Sequence, residues 1–232
     1  HRGGEMGSDV FSVGKTMTAT ALARDIDDDL GYEALILCPK NLVPMWDHYR
    51  ERYGLHAKVV SYARVQKVLP TLRRFRLVIL DESHNLRNRE GRRYRAIAEY
   101  IRQNESRCVL LTATPYNKSY LDLVSQLRLF IPDDRDLGVR PEALLRELGE
   151  AEFVRRHQCP PRSLAAFEKS AHVDDWRDLM RLFLIRRTRS FIRRHHAEPD
   201  PATGRRFLTF ADGTRAYFPD RVPRTLRFAL VE

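Results

Sequence analysis

The chain has 232 residues, 43% of them hydrophobic and 31% charged, which is typical of a globular protein with a sizeable core. No apolar run is long enough to span a bilayer and nothing at the start resembles a signal peptide, so we expect no membrane partner. The formal net charge of +10 favours a polyanionic partner, nucleic acid first, although a solvated basic surface would give the same excess.

The cysteines and the first residues set two further expectations. Cys38, Cys108 and Cys159 are scattered along the chain, and two of them lie inside apolar runs. This pattern predicts reduced, buried thiols and argues against a disulfide framework or a zinc site. The chain begins at His1 without an initiator Met, so we expect it to be an excised piece of a longer protein.

The first segment with chemical content is Gly14-Lys15-Thr16. A weak strand pattern precedes it at Glu5–Val10, and an Ala- and Leu-rich run predicts a helix over Met17–Ala23. This order is the context of a phosphate-binding loop, in which backbone N–H groups and the helix N-terminus hold phosphates. Lys15 would reach the β and γ oxygens, and the Thr16 hydroxyl would complete a Mg²⁺ shell.

Strand and helix patterns alternate over the next hundred residues. Four apolar runs predict strands, at Ala34–Cys38, Lys58–Tyr62, Leu77–Leu80 and Cys108–Leu111. Helical patterns lie between them, at Leu42–Tyr53, Ala63–Phe75 and Arg92–Arg102. We therefore predict an α/β fold, a parallel sheet with helices on both faces.

The third predicted strand runs directly into Asp81-Glu82-Ser83-His84. Polar residues at the carboxyl edge of an open α/β sheet project into the crevice where ligands bind. Asp81 would hold Mg²⁺, directly or through water, and Glu82 would orient and deprotonate an attacking water. A solvated acidic turn would look the same in isolation, and Gly14-Lys15-Thr16 is what favours the catalytic interpretation.

The chain changes character after about residue 129. A helical pattern covers Pro141–Arg156, and a very basic pattern over Asp174–Arg194 predicts one long helix or a pair of helices. Phe207–Phe210 and Arg215–Phe218 flank an Asp-Gly pair, which predicts a β-hairpin.

Taken together, these segments resemble the first motor lobe of the Swi/Snf-type DNA translocases, a branch of the superfamily-two helicase-like ATPases. Asp9 to Thr16 resembles their phosphate loop, in which an Asp normally takes the first-glycine position. Ser12 is a departure, because the family usually has Gly there. Five other segments are similar to motifs of this family: Leu37–Trp46, Ser61-Tyr62, Asp81–Asn88, Leu110–Pro115 and Ile185–Arg189.

The resemblance implies a RecA-like lobe that uses ATP and Mg²⁺ and couples hydrolysis to movement along double-stranded DNA. The phosphate-binding residues would be Asp9, Ser12, Gly14, Lys15 and Thr16, with Thr16 and Asp81 holding the metal. Lys15, Asp81 and Glu82 would carry the catalysis. The other expected partners are a second RecA-like lobe of the same full-length chain, which supplies an arginine finger, and a DNA-bound protein complex.

Further roles follow from the same resemblance. His84, Thr112 and Thr114 would link the nucleotide state to the DNA-facing surface. The DNA phosphates would be contacted by Lys40, Asn41, Ser61, Tyr62, Arg186 and Arg187. A loop-stabilising role fits the first four as well, and a solvated helix face fits the two arginines.

Three parts are expected: an ATP-binding lobe over residues 1–132, a basic helical extension over 133–198, and a hairpin with the start of a linker over 199–232. We expect the isolated chain to bind nucleotide weakly if at all and to hydrolyse almost nothing. The alternatives are a strand-separating or defence-system helicase of the same superfamily, or a non-hydrolysing DNA-binding scaffold. The compartment would be the cytoplasm or nucleoid in a bacterium or archaeon, and the nucleus in a eukaryote.

Overall fold

The structure, a computed structural model, describes residues 13–114, 119–185, 194, 197–209 and 215–217. The chain divides into two compact units, His1–Phe183 and Leu184–Glu232, and each is described by itself below. The strand pattern at residues 5–10 and the Asp-Gly turn at 211–214 lie outside the described residues.

The centre of the first unit is a sheet of four parallel strands. The strands are β1 (Ala34–Cys38), β2 (Ala57–Ser61), β3 (Leu77–Asp81) and β4 (Arg107–Leu111). Their order across the sheet is β2-β1-β3-β4, and every neighbouring pair is parallel. The strand order reverses between β1 and β3, which is where open α/β sheets bind ligands.

Helices cover both faces of this sheet, because alternate residues of its buried strands point to opposite sides. On one face Leu35, Val78 and Leu80 pack with residues of α3 (Val65–Val68) and α4 (Arg92–Asn104). On the other face Ile36 and Ile79 pack with α1 (Val13–Leu30) and α2 (Val43–Arg52). The arrangement is that of a RecA-like lobe, which confirms the predicted fold class.

The predicted helix over Ala63–Phe75 is wrong in its extent. The α-helix covers only Val65–Val68, a 3₁₀ turn follows at Leu69–Thr71, and Leu72 is extended. Pro70 is the physical reason, since its ring clashes with the carbonyl four residues earlier and it has no N–H to donate.

Five helices follow the sheet: α5 (Leu121–Leu127), α6 (Glu142–Leu148), α7 (Glu150–His157), α8 (Leu164–Phe167) and α9 (Val173–Phe183). The helical structure predicted over Pro141–Arg156 is present but divided, because Gly149 separates α6 from α7 with φ 79° and ψ 141°, a conformation that is essentially restricted to glycine. A common core joins α5 to α8 and α9 through Val124, Phe167 and Leu179. The domain boundary near residue 132 stays a prediction.

The second unit contains the predicted antiparallel pair. Strand β6 (Arg206–Thr209) pairs with β7 (Arg215–Tyr217), and β6 also pairs with a short strand, β5 (Glu198–Pro199), that the sequence did not indicate. Across the described residues of both units, no helix has the length and apolar character needed to cross a membrane.

Candidate functional site

The first turn of α1 carries the predicted phosphate-binding residues. The helix begins at Val13, so Gly14, Lys15 and Thr16 lie where backbone N–H groups have no helical partner and the helix dipole favours an anion. Thr16 is buried. A Cβ added to Gly14 would meet no atom of the described residues within 4 Å.

Asp81 closes β3 and is only 4% exposed. Its Oδ2 accepts a hydrogen bond from Nε1 of Trp46 at 2.8 Å, and its Oδ1 accepts one from the backbone N–H of Glu82 at 2.9 Å. Burial raises the pKa of the Asp81 carboxyl, and the two hydrogen bonds, together with the charge of Lys15, partly offset that increase. The carboxylate is therefore held in a fixed orientation at the carboxyl edge of the sheet.

Glu82 turns the chain out of β3 with a left-handed backbone, φ 49° and ψ 48°, a conformation that is uncommon outside glycine. Its Oε1 lies 3.6 Å from Nζ of Lys15. Its Oε2 lies 3.1 Å from Nδ1 of His84, but that contact is not aligned as a hydrogen bond, so this buried oxygen has no donor within the described residues. An acceptor of this kind can take a hydrogen bond from water and then its proton.

The residues at this edge fit Mg²⁺ delivered with a nucleotide. Mg²⁺ prefers hard oxygen ligands and is usually held by one or two carboxylates together with substrate phosphates. Asp81 offers the carboxylate and Thr16 the hydroxyl. No group of three or more His, Cys, Asp or Glu side chains that could hold a metal ion occurs among the residues with described positions.

The three predicted coupling residues are brought together at the end of β4. Oγ1 of Thr112 lies 3.4 Å from Nδ1 of His84 and accepts a hydrogen bond from the backbone N–H of Thr114 at 3.1 Å. Nη2 of Arg87 donates to the carbonyl of Thr114 at 2.7 Å. The segment after Glu82 is thus joined directly to the segment after β4.

The four predicted DNA contacts after β1 and β2 divide into two kinds. Lys40 and Asn41 are exposed in a 3₁₀ turn over Lys40–Leu42. Ser61 and Tyr62 are buried, and the Tyr62 hydroxyl donates to the backbone carbonyl of Asp81 at 2.7 Å. Of the four side chains, only those of Lys40 and Asn41 are exposed to solvent, and a contact with DNA stays a prediction for all four.

Four of the predicted site residues lie outside the described residues: Asp9, Ser12, Arg186 and Arg187. Their roles stay predictions.

Three residues that form hydrogen bonds within this site were not identified as site residues from the sequence. Trp46 binds the Asp81 carboxylate, although its position on an amphipathic helix indicated only core packing. Gln126 of α5 accepts a hydrogen bond from the buried hydroxyl of Ser83 at 2.7 Å. In the sequence, Arg87 was noted only as one residue of the Asp81–Asn88 segment. Its hydrogen bond to the carbonyl of Thr114, after β4, depends on the fold.

Comparisons with known proteins give matches to helicases. Residues 42–123 match the family model described as DEAD/DEAH box helicase. A probable ATP-dependent helicase of Plasmodium falciparum is 32% identical over 95 residues, which is 38% of this chain and 4% of that protein. Helicase SWR1 of Debaryomyces hansenii is 36% identical over 70 residues, which is 30% of this chain and 4% of that protein.

A solved structure shares the fold. It is the SWI2/SNF2 ATPase core of Sulfolobus solfataricus in complex with dsDNA, which is 18% identical, with a TM-score of 0.51 over 76% of this chain and 38% of that one. The chain therefore spans about 4% of the length of the curated relatives and 38% of the solved core. Residues 42–123 of this chain are therefore similar to DEAD/DEAH box helicases, and its fold is shared with a SWI2/SNF2 ATPase core.

Proposed function

We propose that this lobe binds Mg²⁺·ATP at the carboxyl edge of its sheet and serves in a motor that moves along double-stranded DNA. The observation that supports this most is that three side chains from two separate motifs lie close together. Lys15 faces Glu82 at 3.6 Å, and Glu82 directly follows the buried Asp81. Those are the cation, the base and the metal ligand that phosphoryl transfer to water needs.

Each residue has a distinct part in the proposed reaction. Lys15 and the first turn of α1 hold the phosphate oxygens and neutralise their charge. Asp81 and Thr16 hold the Mg²⁺, which when bound balances the charge that develops on the phosphates. The buried Oε2 of Glu82 orients a water molecule and takes its proton.

Double-stranded DNA is the proposed track. The Sulfolobus solfataricus core of the same fold was solved in complex with dsDNA. In this chain Lys40 and Asn41 are exposed in the turn that follows β1. A cation and a small polar donor suit contacts with the phosphate backbone, which position a duplex without reading its sequence. The net charge of +10 adds a long-range attraction.

A second RecA-like lobe is the partner that would complete the site, and a DNA-bound protein complex is the proposed physiological target. Because the other lobe would supply the arginine finger, the 232-residue chain alone is expected to bind nucleotide and to hydrolyse very little of it. Steady ATP turnover by this chain alone that Glu82→Gln abolishes would contradict that expectation.

The first experiment measures the ATPase rate of the full-length parent protein with and without duplex DNA, at two salt concentrations. A translocase that contacts phosphates should be stimulated strongly by duplex, and the stimulation should fade as salt rises. Lys15→Ala serves as the inactive reference. Absence of hydrolysis under every condition would overturn the proposal and favour a DNA-binding scaffold. A strand-separating helicase would instead release a labelled strand from the duplex.

A further inference from the structure

We propose that Trp46 and Tyr62 are positioning residues that connect the metal carboxylate Asp81 to the turns after β1 and β2. They would form a coupling route separate from the one through His84 and Thr112. The inference rests on the proposed function, because it assigns the DNA-facing turn and the Mg²⁺ site the roles given above.

Trp46 supplies the first half of this route. Its indole is fully buried, and Nε1 donates to Oδ2 of Asp81 at 2.8 Å. The ring packs in the core cluster that includes Ile36 and Cys38 of β1. A rigid side chain that is enclosed in this way transmits a displacement of the carboxylate to its own helix, because close-packed interiors yield little.

The helix that carries Trp46 leads directly to the exposed turn. Helix α2 begins at Val43, immediately after the 3₁₀ turn over Lys40–Leu42. Trp46 therefore lies in the first turns of α2, within six residues of Lys40. Movement of the indole and movement of the Lys40 side chain are tied through one short, continuous piece of helical backbone.

Tyr62 supplies the second half. Its hydroxyl donates to the backbone carbonyl of Asp81 at 2.7 Å, and its own N–H donates to the carbonyl of Cys38 at 2.8 Å. The residue is 4% exposed. One side chain and its amide thus tie together the carboxyl ends of β1, β2 and β3, and they support Asp81 from the backbone side while Trp46 holds its carboxylate.

The contrast with the other route is geometric. His84 and Thr112 approach at 3.4 Å, which is long for a hydrogen bond, whereas both contacts with Asp81 are short and enclosed. Partners of a metal ligand orient it, and their loss typically costs about 10–100-fold in metal affinity. We therefore expect the contacts of Trp46 and Tyr62 with Asp81 to control the affinity for Mg²⁺. We also expect them to transmit a change in Mg²⁺ binding to the position of Lys40.

The test uses the two tryptophans of the chain as paired reporters. Nε1 of Trp46 bonds to the Asp81 carboxylate, whereas Nε1 of Trp176 bonds to the carbonyl of Ser170 at 2.9 Å in a separate buried cluster. In the ¹⁵N-labelled chain, Mg²⁺·ADP should shift the indole N–H resonance of Trp46 and leave that of Trp176 in place. Asp81→Asn should also move only the Trp46 resonance.

Variants then test whether these contacts control Mg²⁺-dependent nucleotide binding and its coupling to DNA. Trp46→Phe should weaken the binding of a fluorescent ADP about tenfold in the presence of Mg²⁺ and leave binding in EDTA unchanged. Duplex DNA should change nucleotide affinity in the wild type and in Trp176→Phe, but no longer in Trp46→Phe. Tyr62→Phe, which removes only the hydroxyl, should reduce the same coupling and serves if Trp46→Phe does not fold.

The outcomes separate this inference from the proposed function. Nucleotide binding with an unmoved Trp46 resonance would overturn the inference and leave the function standing. Equal loss of affinity with Mg²⁺ and in EDTA would also overturn it, because that result indicates a merely structural role. If neither the chain nor its full-length parent binds nucleotide, the proposed function fails, and the inference fails with it.

Discussion

Lys15 and Glu82 lie 3.6 Å apart, Nζ to Oε1, with each side chain about a quarter exposed. One comes from the first turn of α1 and the other from the residue after β3, so the fold brings the two motifs together. Phosphates bound to Lys15 would compete with Glu82 for the ammonium group. Nucleotide binding would thereby be linked to the release of the glutamate that would act as the base.

Glu82→Gln separates binding from chemistry. The amide cannot accept a proton from water, so we expect the ATPase rate of the parent protein to fall at least about 100-fold. Nucleotide affinity should be equal or higher, since Lys15 no longer has an anionic competitor. Glu90→Gln, an exposed carboxylate of the same region, is the matched control and should leave both quantities unchanged. A mutant that loses nucleotide binding together with hydrolysis would contradict this assignment.

Lys40→Glu tests the DNA contact. The change should weaken duplex binding to a similar degree for unrelated sequences and reduce the slope of log affinity against log salt by about one. Lys67→Glu alters the net charge by the same amount on the exposed side of α3, and it should have a clearly smaller effect. Equal effects of the two variants would show that overall charge, and not a contact in the Lys40–Leu42 turn, attracts the duplex.

Glu168→Gln tests what holds α8 against the rest of the lobe. Glu168 accepts from Arg89 at 2.6 Å and from Nη2 of Arg128 at 3.0 Å, and the Glu168 and Arg128 side chains are largely buried. Removal of the charge leaves two guanidinium groups without this partner, so the free energy of unfolding should fall by about 1–3 kcal/mol. Urea denaturation measures the change.

The control for that variant is Glu152→Gln, which breaks the exposed pair with Arg155. Exposed ion pairs contribute little to stability, so no change in the urea midpoint is expected. A Glu168→Gln midpoint indistinguishable from the control would show that the three-residue contact does not stabilise the lobe.

The thiols give a prediction for pH. Burial raises the pKa of Cys38 and of Cys108 to about 12, so at pH 8 only roughly one in 10,000 of each is thiolate, against about a quarter at an unperturbed pKa of 8.5. Burial raises the pKa of Cys159 as well, but without the large shift found for the other two thiols, so a thiolate-specific reagent should modify Cys159 first. Cys108 is only half-buried, and its rapid modification in the native protein would contradict the raised pKa.

The raised pKa of Cys108 also determines how the free energy of unfolding changes with pH. The fold holds the Cys108 proton more tightly than the unfolded chain does, so the free energy of unfolding should fall as pH rises above about 8.5. Cys108→Ala should make that decline less steep between pH 8.5 and 10. The measurement is the urea midpoint of both proteins across this range.

The sequence by itself determined the architecture of the four-stranded unit. Runs such as Ala34–Cys38 and Leu77–Leu80 are apolar on both sides, and a parallel sheet covered by helices buries such strands on both faces. Because the carboxyl ends of parallel strands meet at one edge, the sequence also predicted where Asp81 and Glu82 lie. Local breaks were harder to predict, as Pro70 and Gly149 show.

The tertiary structure alone decided which side chains meet at that edge. The contact of Trp46 with Asp81, the burial of Tyr62 and the hydrogen bond from Arg87 to Thr114 all join residues far apart in the chain. Hydrophobic periodicity reports which face of an element is buried, but not where a polar atom on that face points. That direction depends on packing and on the burial of polar groups, and both are set only once the elements have come together.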